Sequence, residues 1–160
     1  MAIPFPFDLN KAVAGEASID IEQSIGEVFE VIGQHFFDNY PKWAAEVVEF
    51  EPLDGREVFV GAKARQVRKN NGVETESVFE ITEFEPIHKL SFKGISAPYK
   101  QSYMLESVHD SQPTRLTFRF ELLELDMFMR PFEKLIRYAI EEGAENTVKN
   151  IKTLIAAGNA

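Results

Sequence analysis

Apolar and polar positions alternate cleanly through Leu116, Phe118, Phe120 and Leu122 against Arg115, Thr117, Arg119 and Glu121. That is the pattern of a strand in an antiparallel sheet with one buried and one wet face. Residues 17–22 alternate in the same way, and turn signals mark off further strands at 47–51, 58–69, 74–84, 89–93 and 99–108, so seven strands are predicted. Turn residues separate them: Pro52-Leu53-Asp54-Gly55, Pro86, Gly94 and Asp110-Ser111-Gln112-Pro113. Asn70-Asn71-Gly72 is the strongest hairpin signal in the chain.

Between the first two strands the period changes. Ser24 offers an N-cap, with Glu27 three residues on completing a capping box. Ile25, Val28, Phe29 and Ile32 then share one helical face, and Gly33 reads as the stop. A short, irregular second helix is predicted from His35 to Trp43, ending near Pro41. From about 128 to 157 apolar residues recur every three or four positions, from Phe128, Phe132 and Leu135 to Val148, Ile151 and Ile155. This predicts one long amphipathic helix about 40 Å in length, with Pro131 in its first turn or at a break just before it. The economical packing is α+β: seven antiparallel strands curved around the C-terminal helix, with two short helices after the first strand. A curved sheet and a straight helix cannot touch everywhere, so a cavity is expected between them.

The composition is that of a globular chain: 160 residues, 44% hydrophobic and 27% charged, which is one domain's worth. Residues 1–16 are expected to form an extended arm and 17–157 the single domain. Phe5 and Phe7 of the arm are expected to pack on this domain or on a second copy, which makes a homodimer a candidate assembly. No cysteine is present, which excludes disulfides, thiolate metal sites and a cysteine nucleophile. Three histidines without ligand spacing argue against a metal, and no cofactor is expected. The net charge of −9 comes from residues 1–57, with 3 basic and 12 acidic side chains, while the rest carries 14 of each. Such a surface repels phosphate backbones and makes a nucleic-acid partner unexpected. No secretory leader or membrane-spanning run is visible, so a cytoplasmic location without integral membrane contact is expected.

The order of elements resembles the helix-grip START-like superfamily, specifically its polyketide cyclase/dehydrase and lipid-transport group, over residues 17–157. The resemblance rests on several marks: the helix start with Ser24, Val28 and Phe29, then Pro41-Lys42-Trp43 leading into Val47-Val48. It rests also on Val60-Gly61 before a basic strand, residues 81–86 reaching Leu90, and the long terminal helix. It implies a cavity for an apolar or amphipathic small molecule, and in some members polyketide cyclisation or dehydration. The group has no universal catalytic signature, so no catalytic residue is assigned.

Alternation that turns Phe79 inward turns Ser77 inward too. Tyr99, Gln101 and Tyr103 share a face, and Gln66 shares one with Ala62 and Ala64. Buried polar groups left unpaired cost about 1–3 kcal/mol each. A row of them therefore points to a water- or ligand-filled space, unless the register is flipped or they pair with one another. Phe118 faces the same space. Ala139, Gly143 and Ala144 form a small-residue window on the long helix, either as room for a ligand or for close backbone approach. Trp43, with Phe36, Phe37 and Tyr40, is either a lid or the anchor of a short helix. Lys63, Arg65, Arg68 and Lys69 could form an anion patch, but with matching acids elsewhere on the sheet they read as a solvated face. The ligand-binding candidates are thus Gln66, Ser77, Phe79, Tyr99, Gln101, Tyr103, Phe118, Ala139, Gly143 and Trp43.

Three functions compete. The first is a carrier for a hydrophobic or aromatic small molecule. The second is a cyclase- or dehydrase-type enzyme with a tyrosine or His35 as proton donor. The third is an adaptor whose acidic surface meets a basic partner. A closed apolar cavity favours the first, an ionisable group aimed into it the second. A solid core with an exposed patch near Phe5 and Phe7 favours the third.

Overall fold

The computed structural model describes residues 12–110 and 112–158. The expected arm contacts of Phe5 and Phe7 lie outside the described residues. The first strand, β1 (Val13–Ile21), starts four residues before the alternation signal at Ala17. Ser24 caps α1 (Ile25–Phe29): its Oγ accepts from the Glu27 amide at 3.3 Å and donates to Glu27 Oε1 at 3.0 Å. Gly33 does not stop the helix as expected. The chain widens into a π-turn over Glu30–Gln34, closed by the His35 amide on the Glu30 carbonyl at 3.0 Å. A Cβ on Gly33 would collide with the Phe29 ring, so this glycine makes room for packing.

The next helix, α2 (Phe36–Trp43), carries Pro41 inside it rather than at its end. Eight residues are too few for a helix to persist alone. Burial of Phe36, Phe37, Tyr40 and Trp43, each at most 1% exposed, holds it in place, at about 1.5–3 kcal/mol per large side chain. Phe36 sits among the rings of Tyr40, Trp43, Phe79, Phe92 and Tyr103, all with centroids within 6.3 Å.

The sheet follows as β2 (Val47–Pro52), β3 (Lys63–Asn70), β4 (Val73–Glu85), β5 (Lys89–Gly94), β6 (Tyr99–Ser107) and β7 (Thr114–Leu122). Its order is β1-β7-β6-β5-β4-β3-β2, antiparallel throughout. Asn71 and Gly72, both at positive φ, close the β3–β4 hairpin with Asn70 opposite Val73, as a two-residue type I′ turn requires. The strand expected from Val58 begins only at Lys63. Gly61, at φ +101°, turns the chain, and Phe59 and Val60 before it are exposed.

The final helix, α3 (Glu133–Ala156), is shorter than the helical period suggests. Pro131 lies in a separate 3₁₀ turn, Met127–Phe132, capped by Asp126. The expected inward stripe also fails at this end: Phe128, Phe132 and Leu135 are 85%, 52% and 68% exposed. Burial on α3 starts at Ala144 and continues through Val148 and Ile151. The helix packs mainly against β1 and β7. The two come close at Gly15, where a Cβ would stand 2.9 Å from side-chain atoms of both Ile140 and Glu141. Arg137 adds a hydrogen bond to the Ala14 carbonyl at 3.2 Å. No helix among the described residues is long and apolar enough to cross a membrane.

Candidate functional site

Held against β1 at Arg137, Ile140 and Glu141 and buried at Val148 and Ile151, α3 passes over a cavity of about 310 Å³. Ile136, Ala139, Ile140, Gly143, Ala144 and Thr147 form one wall, at the three- and four-residue spacing that puts them on one helix face. Gln101 and Tyr103 of β6 face them, beside Phe118 and Phe120 of β7. The strand register places Gln101 opposite Phe120 and Tyr103 opposite Phe118. Tyr40, Trp43 and Ala44 close a third side, with Glu46 and Arg68 at its polar end. Ala139 and Glu46 of this lining are also exposed to solvent.

Six of the ten residues singled out from sequence lie on this wall: Trp43, Gln101, Tyr103, Phe118, Ala139 and Gly143. A Cβ on Gly143 would meet nothing within 4 Å. The close approach considered for this glycine occurs at Gly15 instead, and Gly143 faces open space. Trp43 and Tyr40 anchor α2 and line the cavity at once.

The other four, Gln66, Ser77, Phe79 and Tyr99, do turn inward but stand behind the wall. Phe79 stacks on Phe92 with centroids 4.0 Å apart. The polar three pair with one another: Gln66 Nε2 donates to the Tyr99 hydroxyl at 3.0 Å, and Ser77 Oγ lies 3.0 Å from the same oxygen. Tyr40 donates to Gln66 Oε1 at 2.7 Å. On the cavity side Trp43 Nε1 donates to the Tyr103 hydroxyl at 3.3 Å, which lies 3.4 Å from Gln101 Oε1. Burial pushes the Tyr99 phenol up and the Tyr103 phenol well up. Both remain neutral hydrogen-bonding groups at physiological pH.

Arg68 departs from the expected solvated face. It lines the cavity, and its Nη2 donates to the Tyr40 hydroxyl at 3.1 Å. Its Nη1 stands 3.7 Å from Glu46 Oε2. The signal was present in the alternation, since Arg68 is two residues beyond Gln66 on the same face. It was overridden by the basic run around it. Burial opposes the charge, yet the Tyr40 oxygen and the Glu46 carboxylate outweigh it and hold the pKa above the ordinary arginine value. Arg65 does face outward, on Glu76 at 2.8 Å.

His35 is not on the cavity wall. It lies along an open, polar surface groove with Glu27, Glu30 and Asp38, its Nδ1 3.5 Å from Asp38. That position removes it from any chemistry inside the cavity. Among the described residues no group of three or more His, Asp or Glu side chains could hold a metal ion.

The chain belongs to the polyketide cyclase/dehydrase and lipid transport family, whose model matches residues 12–156. The architecture is the helix-grip fold of the START-like superfamily. It superimposes on the protein TTHA0849 from Thermus thermophilus with a TM-score of 0.74 at 15% identity, over 92% of this chain and 99% of that one. The ZhuI aromatase/cyclase from a Streptomyces species gives 0.71 at 11% identity, over 89% and 92%. The major latex-like protein 151 of Panax ginseng gives 0.62 at 13%, over 88% and 97%. At these identities the likeness is one of fold. No curated protein sequence matches the chain.

Proposed function

We propose that the protein is a cytoplasmic binding or carrier protein that encloses a hydrophobic or aromatic small molecule between the sheet and α3. The observation that carries this reading is the apolar space under a helix that leaves it unfilled, with Gly143 presenting bare backbone to it. Binding would draw on removal of apolar surface from water, at about 25 cal/mol per Å². Gln101 and Tyr103 would orient the ligand's polar end. Gln66, Ser77 and Tyr99 would act from behind the wall, and Phe79 would support its aromatic packing. Nucleic acid has no place in this reading, and light scattering would decide between one copy and a homodimer.

A cyclase- or dehydrase-type reaction in the same cavity is the second reading. It is favoured by the ionisable groups that line the space, Tyr40, Glu46, Arg68 and Tyr103. Against it, both phenols are already engaged: Tyr40 with Gln66 and Arg68, Tyr103 with Trp43 and Gln101. A general acid or base needs a proton free to move to a reacting atom.

Native mass spectrometry of the purified protein, followed by denaturing extraction, tests the proposal. A co-purifying lipid, quinone or aromatic compound is the expected result. Gly143→Leu should abolish binding of that compound while the far-ultraviolet circular dichroism stays unchanged. Retained affinity in a folded Gly143→Leu variant would remove the space beneath the helix from the site.

A further inference from the structure

We infer that the cavity selects a carboxylate-bearing amphiphile, whose anionic end is received by Arg68 while its apolar body lies under α3. This rests on the carrier reading of the same cavity and adds the chemical class of the ligand. Among the described residues lining the space, Arg68 is the one cation and Glu46 the one anion. The guanidinium has five N–H donors. Among the described residues, one hydrogen bond accounts for them, Nη2 to Tyr40 at 3.1 Å, while Glu46 stays outside hydrogen-bond reach at 3.7 Å.

Arg68 is held in place from behind. The Tyr40 proton is committed to Gln66 Oε1 at 2.7 Å, which turns a lone pair of its oxygen toward Arg68. Gln66 is in turn held by Tyr99, and Tyr99 by Ser77, each at 3.0 Å. The relay explains why polar side chains were spent on the core behind the wall. They are positioning residues for a cation that faces the cavity. A relay of this kind leaves remaining guanidinium donors for a planar acceptor, and a carboxylate takes two of them side by side.

Glu46 sets the charge of the guest. Its side chain is 47% exposed, so it can turn into water when a ligand carboxylate takes its place beside Arg68. One cation then matches one negative charge. A doubly charged phosphate would leave excess negative charge in a space walled mostly by apolar atoms, where unpaired charge is costly.

The test is displacement of the neutral probe N-phenyl-1-naphthylamine by decanoate and by decanol at neutral pH, with the wild-type chain and with Arg68→Gln and Arg68→Lys. A purely apolar cavity prefers the alcohol, because the carboxylate must be dehydrated. The inference requires the reverse: decanoate bound about tenfold more tightly than decanol, a difference of about 1.4 kcal/mol. That preference should fall to about one or below in Arg68→Gln, survive in part in Arg68→Lys, and leave probe binding in place in both. Probe binding with equal or better affinity for decanol in the wild-type chain overturns the carboxylate site and leaves the carrier reading standing. So does a preference that persists in folded Arg68→Gln. If the probe, decanoate and decanol all fail to bind the wild-type chain, the carrier reading falls and the carboxylate site falls with it. The wild-type comparison decides the matter even if Arg68→Gln does not fold.

Discussion

Two glycines at α3 make opposite predictions from the same substitution. Gly143 is inside the helix and a Cβ there meets open space. Glycine costs about 1 kcal/mol relative to alanine in a helix interior. Gly143→Ala should therefore raise the thermal midpoint by about 2–4 °C for a domain of this size. At Gly15 the Cβ would stand 2.9 Å from Ile140 and Glu141 side-chain atoms and 3.2 Å from the Glu141 amide nitrogen. Gly15→Ala should lower the midpoint, and differential scanning calorimetry on the pair reads both signs. Glu83 adds a pH-dependent effect. Hydrogen bonds from Lys89, outweighing its desolvation, and from Lys100 hold its carboxyl below the usual range. A depressed folded-state value contributes stability above the unfolded-state pKa and loses it as pH falls through the folded one. In Glu83→Gln, denaturant titrations should therefore show lower stability at neutral pH and a shallower loss on acidification. Single residues were unevenly legible in the sequence. Gly143 stood out as a costly residue in a helical run, whereas Arg68 was masked by three basic neighbours. What separates it from Arg65 is which face of β3 it occupies, and that is set by pairing with β4.

At the scale of elements, what could be read was what local chemistry decides. The Asn71-Gly72 hairpin and the Ser24 cap stand where their residues require positive φ and a side-chain acceptor. Ser24→Ala should cost about 1 kcal/mol through loss of that cap, read as a lower denaturant midpoint with unchanged slope. Boundaries set by tertiary packing were not legible. Gly33 looks like a stop but serves the Phe29 ring, and Pro41 sits inside α2 because four buried aromatic side chains hold that turn. Residues 58–62 read as the start of a strand, yet Gly61 turns the chain and β3 begins only at Lys63. The start of α3 shows the same limit. Periodicity predicts a continuous helix from Phe128, but the ring of Pro131 falls in a 3₁₀ turn and the buried stripe begins a dozen residues later.

For the whole molecule, the fold class was legible because it needs only the order and period of the elements. The cavity was legible as a consequence of shape, and its lining was not, since it depends on how the helix lies across the sheet. The seam between β1 and β7 carries a further consequence for how the chain reaches this state. Val13 pairs with Leu122 and Ile21 with Thr114, and α3, the last element, packs on the first strand. Partners so distant in sequence must be brought together at a high cost in chain entropy, which slows folding. On the ribosome β1 is made first and must wait for β7 and α3 before its edge and its inner face are covered. Until then the rest of the sheet can pair by successive hairpins, leaving the earliest strand as the piece most open to a wrong partner. Docking of β1 and α3 onto β7, and with it formation of the cavity, is therefore expected to come late in folding.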